Sequence, residues 1–223
     1  MKNGILFFSL ILFLSACNED EKDIVILPLV GKQYVSLKVG QEVIYQIDST
    51  LYNEFSGGVD TVSLQQRELI IRTELDAENR ETFIVEIYTR ADDTLAWQLN
   101  RVTKRTVTEY RYEVLDNNVI TVPLVFPIVV DKAWNTNVLN ASTAKEYKYK
   151  TVNEAFSNGS LQYASTVSVL QFDEENLIEK IFEKETFAVD VGLIFREHKE
   201  IETELNGNIR SGFESEMRLI SFN

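Results

Sequence analysis

His198 is the one histidine of this 223-residue chain and Cys17 its one cysteine. Any Ser-His-Asp triad or histidine-dependent metal site must use His198. It lies in the run Arg196-Glu197-His198-Lys199-Glu200, which reads as a solvated strand end. Zinc is disfavoured, because no second histidine and no free thiol completes a ligand set. With 35 Asp and Glu, carboxylate pairs at glycosidase separation arise by chance. Asp92-Asp93 and Asp173-Glu174-Glu175 offer oxygen ligands, but not at the spacing of a calcium loop. The chain has no glycine-rich phosphate loop, nucleophile elbow or dinucleotide fingerprint. No catalytic, cofactor or metal residue is assigned, no cofactor is expected, and the chain is read as a non-enzyme.

The aromatic residues offer binding chemistry instead. Trp97 and Trp134 are the candidate ligand-lining residues, with Tyr110, Tyr112, Tyr147, Tyr149 and Tyr163 near them in sequence pattern. Aromatic faces stack on sugars and lipids. The same residues also serve as core and cross-strand pairs, the usual place for aromatics in sheets. Trp134 follows Asp131-Lys132 and precedes Asn135-Thr136-Asn137, which places it at a loop edge.

The elements that must position these groups are strands. Val43, Tyr45 and Ile47 alternate with polar neighbours, as do Phe83, Val85 and Ile87, at the period of a half-buried strand. Val62 to Leu75 is rich in β-formers but interrupted at Gln65-Gln66-Arg67. Ser56-Gly57-Gly58, Asp76 to Asn79, Asp92-Asp93, Asp116-Asn117-Asn118, Ser157-Asn158-Gly159 and Gly207-Asn208 read as turns. Val119 to Val130 carries Pro123 and Pro127, which marks an edge or crossing segment rather than a central strand. Residues 173–188 are open between a short helix and two strands: Leu177, Ile178, Ile181 and Phe182 fall near helical spacing, and Asp173 or Asn176 could cap it. Val189 to Glu197 reads as a buried strand through Gly192. The expected fold is mainly β, a single antiparallel curled sheet or an open or half β-barrel with at most one or two short helices.

Cys17 ends a different kind of segment. Lys2, an apolar run from Ile5 to Leu14 and the small residues Ser15 and Ala16 lead directly into it. The run is too short to span a bilayer and suits the core of a secretory signal. The segment resembles a bacterial lipoprotein signal, which implies cleavage before Cys17 and lipidation of its thiol and new amino group. Residues 1–16 are then signal peptide, 17–23 a lipidated acidic tether and 24–223 a single β-rich domain. Asn18 stands where enterobacterial inner-membrane retention uses Asp. The run Glu19-Asp20-Glu21-Lys22-Asp23 is similar to the surface-export signal of Bacteroidetes lipoproteins. The resemblance implies attachment to the outer membrane through the lipid, with the cell surface favoured over the periplasmic face.

Two smaller resemblances follow. Phe187-Ala188-Val189-Asp190-Val191-Gly192-Leu193-Ile194 is similar to a late strand of half-barrel envelope lipoproteins, which implies a curled sheet with an apolar concave face. Asp48-Ser49-Thr50, Asp60-Thr61-Val62 and Asp93-Thr94-Leu95 resemble the O-glycosylation acceptor of Bacteroidetes, with Ser49, Thr61 and Thr94 as the acceptors. Ordinary turn chemistry explains the same residues.

Cleavage leaves about 207 residues, enough for one sizeable domain. The formal charge of −13 makes nucleic acid an unsuitable partner, since phosphates demand Lys and Arg. With Cys17 lipidated, no disulfide is available. The expected function is a non-catalytic cell-envelope binding module for a lipid or other hydrophobic ligand. A structural or accessory subunit of a surface protein complex is the alternative, and a carbohydrate-active hydrolase stands third.

Overall fold

The computed structural model describes residues 31–159 and 161–223. Cys17, the signal, the tether and the lead-in 24–30 lie outside the described residues. Six strands follow one another as hairpins: β1 (Glu42–Tyr52), β2 (Val59–Leu75), β3 (Glu81–Arg90), β4 (Gln98–Val107), β5 (Arg111–Asp116) and β6 (Val119–Val125). The second half repeats the plan with β7 (Ala133–Asn135), β8 (Glu146–Asn158), β9 (Leu161–Glu175), β10 (Glu179–Ala188), β11 (Gly192–Thr203) and β12 (Ile209–Phe222). Every pairing is antiparallel, and β1 pairs with β12 to join the halves. The result is one 12-stranded sheet, ordered β6-β5-β4-β3-β2-β1-β12-β11-β10-β9-β8-β7, rolled until it nearly closes as a barrel. Among the described residues there is no α-helix, only a 3-10 turn at Lys32–Tyr34.

The two sheet edges, β6 and β7, meet through a seam rather than a full ladder. Pro123 within β6 cannot donate to a ladder, so the strand holds an edge position. The Val122 N–H donates to the Thr136 carbonyl (2.9 Å). The Val122 carbonyl accepts from Trp134 Nε1 (2.8 Å) and the Thr136 hydroxyl (3.2 Å). Three residues on, the buried Tyr149 hydroxyl accepts from the Val125 N–H (2.9 Å) and donates to the Val125 carbonyl (2.8 Å). Side chains thus satisfy the backbone groups that an edge would leave open.

Residues 31–41 cross one end of the barrel and form its floor. Tyr34 is fully buried among Leu124, Phe126, Tyr149, Val167 and Phe187, on both sides of the seam. Its hydroxyl donates to Asn153 Oδ1 (2.7 Å). Leu37 packs on Ile70, Val85 and Ile87. The Asp190 N–H donates to the Gln33 carbonyl (2.8 Å), and Gly40 and Gln41 exchange backbone bonds with Ile70. Gly31 is required at the start of this segment. Its φ is 133°, and a Cβ there would lie 2.5 Å from Ile128 Cγ1.

Residues 173–188 are strand, turn and strand. The Asn176 side chain closes the turn by accepting the Ile178 N–H (3.0 Å), an Asx turn. Leu177 and Ile178 then sit exposed at the tip and do not form a helical apolar face. β2 runs unbroken through Gln65-Gln66-Arg67, because Gln66 points into the barrel. Gly192 opens β11 instead of lying within a strand: Val189 to Val191 form the turn, with Asp190 at φ 60°.

Tyr149→Phe removes the hydroxyl that partners the N–H and carbonyl of the half-buried Val125. The expected loss is about 1–3 kcal/mol, measured by urea unfolding, with faster amide exchange at Val125. An unchanged midpoint and unchanged exchange would show that the seam does not depend on this hydroxyl.

Candidate binding lumen

The rolled sheet encloses a cavity of about 630 Å³, within the size range of small-molecule sites. Side chains alternate along each strand, so residues two apart share the inner face. On β2 these are Gln66, Glu68 and Ile70, on β4 Arg101, Thr103 and Arg105, on β10 Glu183, Glu185 and Phe187, and on β11 Arg196 and His198. The expected apolar concave face is therefore a mixed one. Its floor is mostly apolar, lined by Tyr34, Val35, Val191 and Leu193 beside Ser36 and Gln41, while charged groups are interspersed with apolar ones along the rest of the wall.

Two ion pairs form a belt across the middle. Arg105 Nη2 donates to Glu68 Oε2 (2.5 Å), and the Glu68 carboxylate also accepts from Gln66 (3.0 Å). Across the lumen, Arg196 Nε and Nη2 both donate to Glu185 Oε1 (2.7 and 2.6 Å). Direct β10–β11 pairing places Glu185 opposite Arg196 and Glu183 opposite His198. Burial opposes the charge of Arg105, yet Glu68 more than offsets it and holds the guanidinium above its usual range. Arg196 behaves likewise beside Glu185. The Arg196 side chain nevertheless keeps 46% of its surface exposed; that surface faces the lumen rather than the outside.

Two tyrosines complete the belt. Burial, reinforced by Glu68, pushes the Tyr45 phenol well above its usual value. Its hydroxyl donates to the Leu193 carbonyl (3.0 Å). Burial pushes Tyr112 up to about 12, with Arg105 working against the shift. Both are neutral hydrogen-bonding groups at ordinary pH. Toward the far end Arg101 pairs with Asp116 (2.9 Å), and the Asn117 turn between β5 and β6 borders the cavity.

His198 belongs to this wall and not to a solvated strand end. Its Nε2 stands 3.8 Å from Glu183 Oε1 and its ring meets Phe213 edge-on at 4.7 Å. Neither tryptophan lines the cavity. Trp97 stacks against Arg90 (4.2 Å) and Arg67 (5.1 Å), and Arg67 lies on the face of β2 opposite Gln66 and Glu68. Trp134 packs on Tyr149 (4.5 Å) and holds the seam. Of the candidate tyrosines, Tyr112 and Tyr147 do face the lumen, together with Tyr34, Tyr45 and Phe187.

The remaining candidates scatter over the outside. The Asp92 carboxylate closes its own turn by accepting the Thr94 N–H (2.9 Å). Thr94 is exposed in that turn and Thr61 is exposed on β2. Ser49 lies inside β1, paired on both sides, with its hydroxyl 2.9 Å from that of Ser215. Of the acceptor-like segments, that of Ser49 is therefore not presented at a turn or strand end.

The lumen pairs were hard to see because each charge looks solvated in its own strand. The available signal was complementary charge at spacing i, i+2 on successive strands: Glu183 and Glu185 before Arg196 and His198. Arg105→Met strands the Glu68 carboxylate in the lumen and should cost about 3–5 kcal/mol, whereas Glu68→Leu with Arg105→Met should recover most of it. Denaturant midpoints of these variants and of Glu68→Leu alone decide the matter. A double-variant loss equal to the sum of the losses of Arg105→Met and Glu68→Leu would mean that the pair is not coupled.

No protein family and no curated protein sequence matches the chain. Two solved structures are similar. One is a protein taken to be exported, with a YmcC-like fold, from Bacteroides fragilis, at 8% identity and a TM-score of 0.45, covering 84% of this chain and 97% of that one. The other, from Parabacteroides distasonis and taken to be a lipoprotein, is 9% identical with a TM-score of 0.44, covering 85% of this chain and 98% of that one.

Proposed function

We propose that this protein is a non-catalytic binding module of the cell envelope whose lumen takes a small amphiphile. The observation that carries the reading is the unfilled cavity crossed by a belt of paired charges. A guanidinium has five N–H donors, and Glu185 engages Arg196 through only two of its nitrogens. The lumen-facing surface of Arg196 therefore suits a head group rich in acceptors, such as a carboxylate. The apolar walls beside it, including Ile87, Val114 and Tyr147, suit a hydrocarbon portion. The non-catalytic part of the reading is supported by the carboxylates of the belt, each bonded to an arginine, and by phenols that burial keeps neutral.

Outer-membrane attachment through lipid on Cys17, with the surface face favoured, belongs to the same proposal and rests on the signal-like segment. The described chain starts at the floor of the barrel. The chain between Cys17 and Gly31 can span at most about 50 Å. It would hold the floor toward the membrane and the far end of the lumen away from it.

Two measurements test these readings. Cys17→Ala should move the protein from the membrane fraction to the soluble one; a variant that stays in the membrane refutes lipid anchoring. That soluble variant, purified from its host without detergent, should retain a mass in the range of a single-chain amphiphile in native mass spectrometry. Dodecanoate should bind it, and Arg196→Gln should weaken that binding by about tenfold or more, the effect of one lost charged hydrogen bond. A clean apo mass together with no dodecanoate binding would overturn the amphiphile reading.

A further inference from the structure

The barrel end opposite the floor carries exposed apolar side chains on three neighbouring hairpins. β1 and β11 both start beside the floor segment, so their far turns lie at the other end. Phe55 at the β1–β2 tip is 98% exposed, Leu205 at the β11–β12 tip 85% and Leu177 at the β9–β10 tip 83%. The sheet order β2-β1-β12-β11-β10-β9 sets these hairpins side by side. They are also bonded to one another. The Thr203 N–H donates to the Ile178 carbonyl (2.8 Å) and its hydroxyl to the Leu177 carbonyl (3.4 Å). Arg210, paired with Glu202, reaches Glu54 at 3.7 Å. The Phe55 turn is itself built, with the Asn53 carboxamide accepting the N–H groups of Phe55 and Ser56 (3.0 and 3.1 Å). The three tips form one surface.

Single exposed apolar residues need no explanation, but a joined set of large ones marks an interaction site. The rim around this set is acidic: Glu54, Asp60, Glu175, Glu179, Glu202 and Glu204. Its two bases, Lys180 and Arg210, are already bonded to Glu175 and Glu202. That rim selects the occupant. An anionic bilayer surface would be repelled, and a second copy would bring the same acids together. We propose that the three hairpin tips dock a protein partner presenting an apolar groove edged by Lys and Arg. The apolar tips supply the contact and the acidic rim its orientation and salt sensitivity.

The test places photoreactive benzoylphenylalanine at position 55 or 177 of the full-length protein in its host, with position 39, near the floor, as control. The expected result is one protein adduct from both tip positions and none from position 39. The cross-linked peptide should map to an apolar segment flanked by Lys or Arg. Glu54→Lys with Glu204→Lys should cut the yield by about fivefold or more, as should added salt. Phe55→Ser should abolish the adduct at 177 while leaving the melting temperature and dodecanoate binding unchanged. No adduct above the control, an adduct with lipid alone, one with a second copy alone, or a protein adduct indifferent to charge reversal would each overturn the proposal.

Discussion

How the open edge at β6 is satisfied governs everything else in this fold. A sheet of 12 strands carries two rows of unpaired backbone groups, and such rows recruit other chains unless they are covered. Here Val122 and Val125 present those groups to Thr136, Trp134 and Tyr149. The seam brings the two edge strands, β6 and β7, together, and the roll it completes makes one face of the sheet an interior. Without that roll Glu68, Arg105, Glu185 and Arg196 would be ordinary surface charges, each worth little.

Closure changes what these charges mean. Glu68 and Glu185 are buried in the lumen wall, and buried charges need partners. The belt meets that need by direct cross-strand pairing of Glu185 with Arg196 and by the reach of Arg105 to Glu68. A packed apolar interior would give a barrel at least as stable. Retention of the charges fits an interior that holds something polar, which is the basis of the amphiphile reading.

The two ends of the barrel are chemically different. The floor is sealed by the N-terminal segment, whose Tyr34 joins strands from both sides of the seam. The opposite end combines a polar rim of the lumen with the apolar hairpin tips. Floor, charged lumen and apolar hairpin tips thus follow one another along one axis.

Much of this could be read from the chain alone. Alternation at Val43-Tyr45-Ile47 and Phe83-Val85-Ile87, the Asn and Gly turns, and Pro123 on an edge all follow from local backbone chemistry, so the antiparallel β architecture was legible. So was the signal-like run ahead of Cys17. The lumen was not. Period two says that Gln66 and Arg196 share a face with their i+2 neighbours, but it does not say which face the sheet curls around. The tryptophans misled for the same reason, since an aromatic suits a seam as well as a ligand. Residues 173–188 stayed open between helix and strand until flanking strands were there to pair with them. Local sequence determined the strands, turns and charge; only the tertiary roll decided inside from outside, because that choice rests on contacts between strands far apart in the chain, such as β1 with β12 and β6 with Thr136.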